Sequence, residues 1–257
     1  MKIQLISDLH LEFRANREWL IKNPIIPKGE LLLIAGDTCC LERPEDADFF
    51  HQQIAKDFDH IISVMGNHEF YGSKIDFVYP SYIAKISDNH FCLNNDVFFY
   101  KDLKIIVSIL WSYVPLYWAK TLENGLNDYH YIRRANPDGC ARVIRVADTN
   151  EYHNNSVAFI EDELSKQFSG KTILLTHHLP SYSCISVDFK GSPLNAGFAT
   201  RLDGLIERNP HLLYWFCGHS HDFSSINAHN TKVVRNPLGY VFRDEQHDFL
   251  RDFVVEV

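Results

Sequence analysis

Short apolar runs punctuate the chain at 2–6, 30–35, 60–64, 103–109, 172–176 and 212–217, each closing on polar residues. Continuous apolar runs of this length suit strands buried on both faces. Helical patterns lie between several of them. Pro44 with Glu45 and Asp46 makes a first turn, after which Ala47, Phe50, Ile54 and Phe58 recur at helical spacing. Val157, Ile160, Leu164 and Phe168 repeat the pattern, and Phe198, Leu202, Leu205 and Ile206 do so less regularly. Towards the end, "DFSSINAH", "TKVVRN" and "DFLRDFVVEV" suggest strands with no helix between them. The pattern predicts an α/β fold with mixed strands. Residues 111–150 fit neither period. A stretch of that length inside a compact domain is usually functional or disordered, and its four tyrosines and two tryptophans argue against disorder.

The chain has 257 residues, of which 46% are hydrophobic and 23% charged. We therefore expect one domain over 1–257, with 111–150 as an insertion capping a substrate site. The net charge is −8 and no run of Lys and Arg stands out, which disfavours extended nucleic-acid binding. Six cysteines without a C-x-x-C spacing fit reduced thiols in a cytoplasmic protein. The longest apolar stretch, "IIVSILWSYVPLYWA", is too short for a membrane span and contains Pro115. No secretory signal is expected at the start, where the apolar segment ends at Asp8.

The residues that the strands deliver at their ends change the picture. The first run leads into Asp8 and His10, which in extended backbone would share a face. The second leads into Gly36-Asp37, and the third into "GNHEF", with Asn67 and His68. Later runs lead into "THHLP", with His177 and His178, and into "GHSH", with His219 and His221. Open α/β sheets bind ligands at the carboxyl ends of their strands. Each residue alone has an ordinary explanation in a turn or a core. Five coincidences at five strand ends do not.

This ordered set resembles the calcineurin-like metallophosphoesterase family. "SDLHLEF", "GNHEFYG", "LNDY" and "NPLGY" are similar to a bacterial branch of it. The resemblance implies a two-layer mixed β-sandwich flanked by helices, with two divalent ions at its rim. Asp8, His10, Asp37 and His221 would hold one ion; Asp37, Asn67, His177 and His219 would hold the other, with Asp37 shared. His177 comes first after its strand and is the preferred ligand, although the reverse assignment with His178 stays open. Two carboxylates for two dications leave a formal charge of about +2, suited to a phosphate, and the pair would deliver a metal-bound hydroxide in line with the leaving group. Imidazole, carboxylate and amide ligands suit manganese, iron, zinc or nickel, with manganese foremost.

His68 would stand beside the leaving group as general acid or hydrogen-bond donor. The family often reads G-D-x-x-D, whose last residue orients this histidine; here "GDTCC" places Cys40 there. Leu238 stands where relatives commonly carry arginine in "NPRGY". For the substrate, Arg133 and Arg134 offer phosphate contacts, and Tyr129, His130 and Trp118 offer stacking surfaces. His178 and Tyr71 are further substrate-facing candidates, with Glu12 and His153 weaker ones at the same rim. The expected activity is hydrolysis of a small phosphomonoester or phosphodiester. A nuclease or cyclic-nucleotide phosphodiesterase would need a basic groove or a base-stacking pocket. A non-catalytic metal-binding scaffold would be expected to have lost ligands, and this chain keeps them all.

Overall fold

The computed structural model describes residues 1–136 and 138–257. Its first sheet contains β1 (Lys2–Ile6), β2 (Leu31–Ala35), β3 (His60–Val64), β4 (Tyr82–Lys85) and β5 (His90–Asn94). Two helices cover that sheet: α1 (Arg14–Lys22) after β1 and α2 (Asp48–Ile54) after β2. The second sheet begins with the hairpin β6 (Asp96–Tyr100) and β7 (Leu103–Ser108). The 111–150 stretch folds as short elements, α3 (Ala119–Gly125), α4 (Asp128–Tyr131), β8 (Arg133–Ala135) and β9 (Ala141–Val143), and runs into α5 (Val146–Ser165). The second sheet resumes with β10 (Lys171–Thr176), then α6 (Asp203–Arg208), β11 (Leu212–Phe216), β12 (Ser224–Ala228) and β13 (Thr231–Arg235). The closing strand β14 (Val254–Glu256) returns to the first sheet beside β1.

The strand orders are β14-β1-β2-β3-β5-β4 and β12-β13-β11-β10-β7-β6. Both sheets are parallel at the centre and antiparallel at their edges. Alternation explains why the central runs are apolar throughout. Ile3, Leu5, Leu31, Leu33, Leu103, Ile105, Ile173 and Leu175 fill the space between the sheets. Ile6, Leu32 and Ile34 face outward onto Leu20, Phe50 and Ile54 of α1 and α2. Ile106 and Leu174 do the same beneath Ile160 and Leu164 of α5. Each central strand is thus covered on two faces.

Some boundaries differ from the sequence pattern. Pro44–Ala47 is a 3₁₀ turn before α2, and Phe58 lies beyond the helix while packing in the same core. Phe198 and Leu202 precede α6, Phe198 closing a 3₁₀ segment at Pro193–Gly197 and Leu202 standing just before the helix.

Candidate metal centre

Where the parallel strands end, the backbone turns sharply to aim its side chains between the sheets. Asp8, His10, Asp37 and His219 all take positive φ, at 52°, 48°, 54° and 68°. The Asp8–His10 segment is therefore not the extended continuation of β1 suggested by its spacing. Left-handed backbone at a non-glycine residue costs on the order of 1–2 kcal/mol and persists only where the surroundings impose it. Here Asp8 N–H donates to Gly36 C=O at 3.0 Å, His10 N–H to Asp37 C=O at 2.9 Å, and Gly218 N–H to His177 C=O at 2.9 Å. Four ligand-bearing turns are thereby braced in two pairs, those after β1 and β2 and those after β10 and β11. Gly66 is required by crowding, since a Cβ there would lie 2.2 Å from Asp37 Oδ1.

Beside a cluster of His10, Glu12 and His68, two groups of donor atoms result. Asp8, His10 and His221 form one; Asp37, His177 and His219 form the other, joined by Asn67. Asp37 Oδ2 lies between them, 3.8 Å from His10 Nε2 and 3.4 Å from His177 Nε2. The proton positions test whether cations fit. His10 Nδ1 faces the Glu12 carboxylate at 3.2 Å, and His221 Nδ1 faces Glu245 Oε2 at 2.5 Å. A carboxylate only accepts, so both Nδ1 atoms carry hydrogen, and in neutral rings both Nε2 atoms would present lone pairs. Those lone pairs meet at 3.1 Å. Burial first, and then His68, hold the His10 pKa below its ordinary value, so a proton does not readily fill the gap.

The second group behaves similarly. His177 Nδ1 donates to Ala35 C=O at 2.8 Å, leaving Nε2 to face Asn67 Oδ1 at 3.0 Å and His219 Nδ1 at 3.1 Å. Burial opposes a charge on His177, yet Asp37 outweighs it and lifts the pKa to about 10. The site demands positive charge, and a divalent cation satisfies several acceptors where one proton satisfies one. The residues fit metal ions of the borderline class.

His68 stands against the first group, its ring 4.3 Å from that of His10. Its Nδ1 bonds Glu12 Oε1 at 2.8 Å, and its Nε2 meets the Tyr240 hydroxyl at 3.0 Å. Glu12, not Cys40, is therefore the carboxylate that orients it. Burial pushes the His68 pKa down, but Asp37 and Glu12 outweigh that and lift it to about 9. Burial pushes Glu12 up, while its hydrogen bonds from His10 and His68 hold it near 2. Leu238 lies fully buried in the core around α1 and α2, so the "NPLGY" segment contributes Tyr240 and no cation.

Further supports carry no signal of their own in the sequence. Asp128 Oδ1 accepts from Asn67 Nδ2 and from the Tyr71 hydroxyl, each at 2.8 Å, which turns Asn67 Oδ1 inward. Through Asp128 the 111–150 stretch thus reaches Asn67 of the candidate centre. Tyr71 stacks on His68 at 4.2 Å. Glu69 accepts backbone N–H groups of Asp37, Thr38 and Gly66 at 3.0, 2.6 and 2.7 Å, tying together the turns after β2 and β3. Only the "LNDY" and "GNHEF" contexts hint at Asp128 and Glu69.

The substrate candidates scatter. His178 is fully buried, 4.8 Å from the Trp111 ring and 4.3 Å from the His219 ring, so it packs as a neutral wall. Arg134 is bound to Asp148 at 2.8 Å and to Glu151 at 2.7 Å, which removes its charge from the rim. Arg133 is exposed, and its backbone pairs with Ser73 and Ile75. Tyr129 is buried against Thr149, and His130 is exposed near Asn124. Trp118 and His153 line two adjoining clefts.

Two sheets delivering imidazole, carboxylate and amide donors to one rim define a metal-dependent hydrolase of phosphate esters. The calcineurin-like phosphoesterase family matches residues 1–223, and the chain belongs to that family. An uncharacterized protein of Acanthamoeba polyphaga mimivirus is 27% identical over 93% of this chain and 91% of its own. The phosphopantetheinyl hydrolase of Mycobacterium tuberculosis superposes with a TM-score of 0.67 at 15% identity, covering 100% of this chain and 95% of that one. A dimetal phosphatase of Danio rerio gives 0.50 at 11% identity, covering 91% of this chain and 86% of that one. At these identities the solved structures speak for the fold. Among the described residues no helix is long and apolar enough to cross a membrane.

Proposed function

We propose that the chain hydrolyses a small phosphate mono- or diester at a two-ion centre, with Asp37 shared between the ions. The observation that carries this reading is Asp37 Oδ2 set between two groups of converging imidazole, carboxylate and amide ligand atoms. Bound divalent ions would neutralise the phosphate and activate water for attack at phosphorus. The protein's own residues do the rest. Asp8, His10 and His221 would hold one ion, and Asn67, His177 and His219 the other. The His68 imidazolium, oriented through Nδ1 by Glu12, presents its Nε2 proton to the leaving-group oxygen as the P–O bond breaks. Tyr71 stacks on that ring, and the Tyr240 hydroxyl, 3.0 Å from Nε2, accepts the same proton until a leaving-group oxygen takes its place. The fold shared with a dimetal phosphatase supports the reading.

Elemental analysis of purified protein, run beside hydrolysis of 4-nitrophenyl phosphate and its bis-ester, tests it. Two ions per chain are expected, with Asp37→Asn losing metal and nearly all activity. Full activity with a single ion would sink the two-ion scheme. Metal binding without hydrolysis of either ester would make the chain a scaffold.

A further inference from the structure

Two clefts of about 190 and 410 Å³ adjoin between the loop after β7 and the loop joining β10 to α6, sharing Pro115, Tyr182 and Arg201. The same loops carry a concentration of exposed apolar side chains. Leu116 and Tyr117 are 78% and 77% exposed, and Val187 and Phe189 stand out on the facing loop. Clustered exposure of this kind along a cleft marks a binding surface more often than scattered surface residues do. Arg201 is the one cation among the described lining residues. Its guanidinium lies over the Tyr182 ring at 5.2 Å and joins none of the ion pairs among the described residues.

The cleft is tied to the His177 and His219 side of the candidate centre, since the N–H of its lining residue Thr200 donates at 3.0 Å to the C=O of Leu179, two residues after His177. Phe198 packs its ring 4.5 Å from His219, and Arg201 comes three residues later, so the Cα atoms of Phe198 and Arg201 are at most about 11 Å apart. Tyr182, beneath the Arg201 guanidinium, comes five residues after His177. His68, by contrast, rests against His10 and Tyr240 of the other group. A departing group attended by His68 therefore leaves this cleft empty. A monoester has no second arm to fill it. A diester does.

We propose that the cleft holds the arm of a phosphodiester that stays on phosphorus, an arm bearing an aromatic or apolar body and a further anionic group. The inference rests on the phosphoesterase reading and narrows it to diesters. Tyr113, Tyr117, Trp118 and Tyr182 offer faces for a planar ring, and Arg201 offers a charge-assisted contact to the anion.

Three esters with one leaving group test it: 4-nitrophenyl phosphate, thymidine 5′-(4-nitrophenyl phosphate), and the latter's 3′-phosphate. The retained arm is absent in the first, uncharged in the second and anionic in the third, while His68 faces the same nitrophenolate. kcat/KM is expected to rise along the series. Arg201→Gln should remove about tenfold from the third, mostly through KM, and far less from the first. Tyr117→Ala should lower the second and third relative to the first. A second readout needs no metal. Thymidine 3′,5′-bisphosphate added in EDTA should quench the Trp118 fluorescence, identified by its loss in Trp118→Phe, and Arg201→Gln should weaken that binding. Equal loss across all three esters in Arg201→Gln, or a penalty for the retained arm in the parent, would overturn the cleft assignment. Hydrolysis of none of the three by metal-loaded protein would instead overturn the phosphoesterase reading and the cleft with it.

Discussion

Replacing Glu12 by glutamine isolates the link between this carboxylate and His68. The amide keeps an acceptor near the place of Oε1, 2.8 Å from His68 Nδ1, and removes the charge. Hydrogen bonds involving a charged partner contribute about 1.5–3 kcal/mol, roughly twice their neutral counterparts. About half should survive, so the loss is about 0.75–1.5 kcal/mol, which lowers kcat about 4–12-fold. The effect should be larger for phenyl phosphate than for 4-nitrophenyl phosphate, because the poorer leaving group needs the proton more. Glu12 Oε1 also touches His10 Nδ1 at 3.2 Å, so a loss through the metal must be separated. A double-mutant cycle does so: in a His68→Ala background, Glu12→Gln should cost less than about twofold at saturating metal. An undiminished loss in that background, together with lower metal content, would show that Glu12 acts through His10 and refute the orienting role.

Asp128→Ala should weaken metal affinity about 10–100-fold, read by titration against a chelator, since Asn67 loses the acceptor that turns its oxygen inward. Unchanged affinity would mean that Asn67 holds its rotamer unaided. Glu69→Ala leaves three backbone N–H groups without an acceptor, at about 1–3 kcal/mol each and less than additively. A net cost of about 3–5 kcal/mol should lower Tm by roughly 6–20 °C in a calorimetric scan. Arg134→Ala should lower Tm by a few degrees through Asp148, which is left buried with fewer partners, and should spare KM for every ester tried. A raised KM for one class of ester would return Arg134 to the substrate.

The strand ends are legible because burial on two faces leaves unbroken apolar runs, and the polar residues that close each run stand out. The seven donor residues can be placed that way, and the structure brings them together. Glu12 is harder, since its partner His68 is 56 residues away and no local pattern links an acid after a strand to a distant imidazole. Asp128 shares that difficulty across 61 residues. The edge strands are hard to see because "YIAK" and "DVFFY" are half-exposed and carry no clean alternation. α1, "RANREWLIK", buries only Asn16 and Leu20, too little to print a helical stripe. Arg134 misleads for a related reason. Sequence shows where cations lie along the chain but not which carboxylates have already claimed them.

The donors of the metal centre come from both layers of the sandwich. Asp8, His10, Asp37 and Asn67 come after β1, β2 and β3, while His177, His219 and His221 come after β10 and β11. Any ion held there would work as a rivet between two sheets that otherwise meet through apolar contact and a few hydrogen bonds, such as those from His177 Nδ1 to Ala35 C=O and from His219 N–H to Asp8. An ion bound only by the folded chain stabilises it by about 2.7 kcal/mol when free metal exceeds the dissociation constant a hundredfold. That is a sizeable part of a typical folding free energy of about 5–15 kcal/mol. Metal supply would then set how much of this protein stays folded as well as how fast it works.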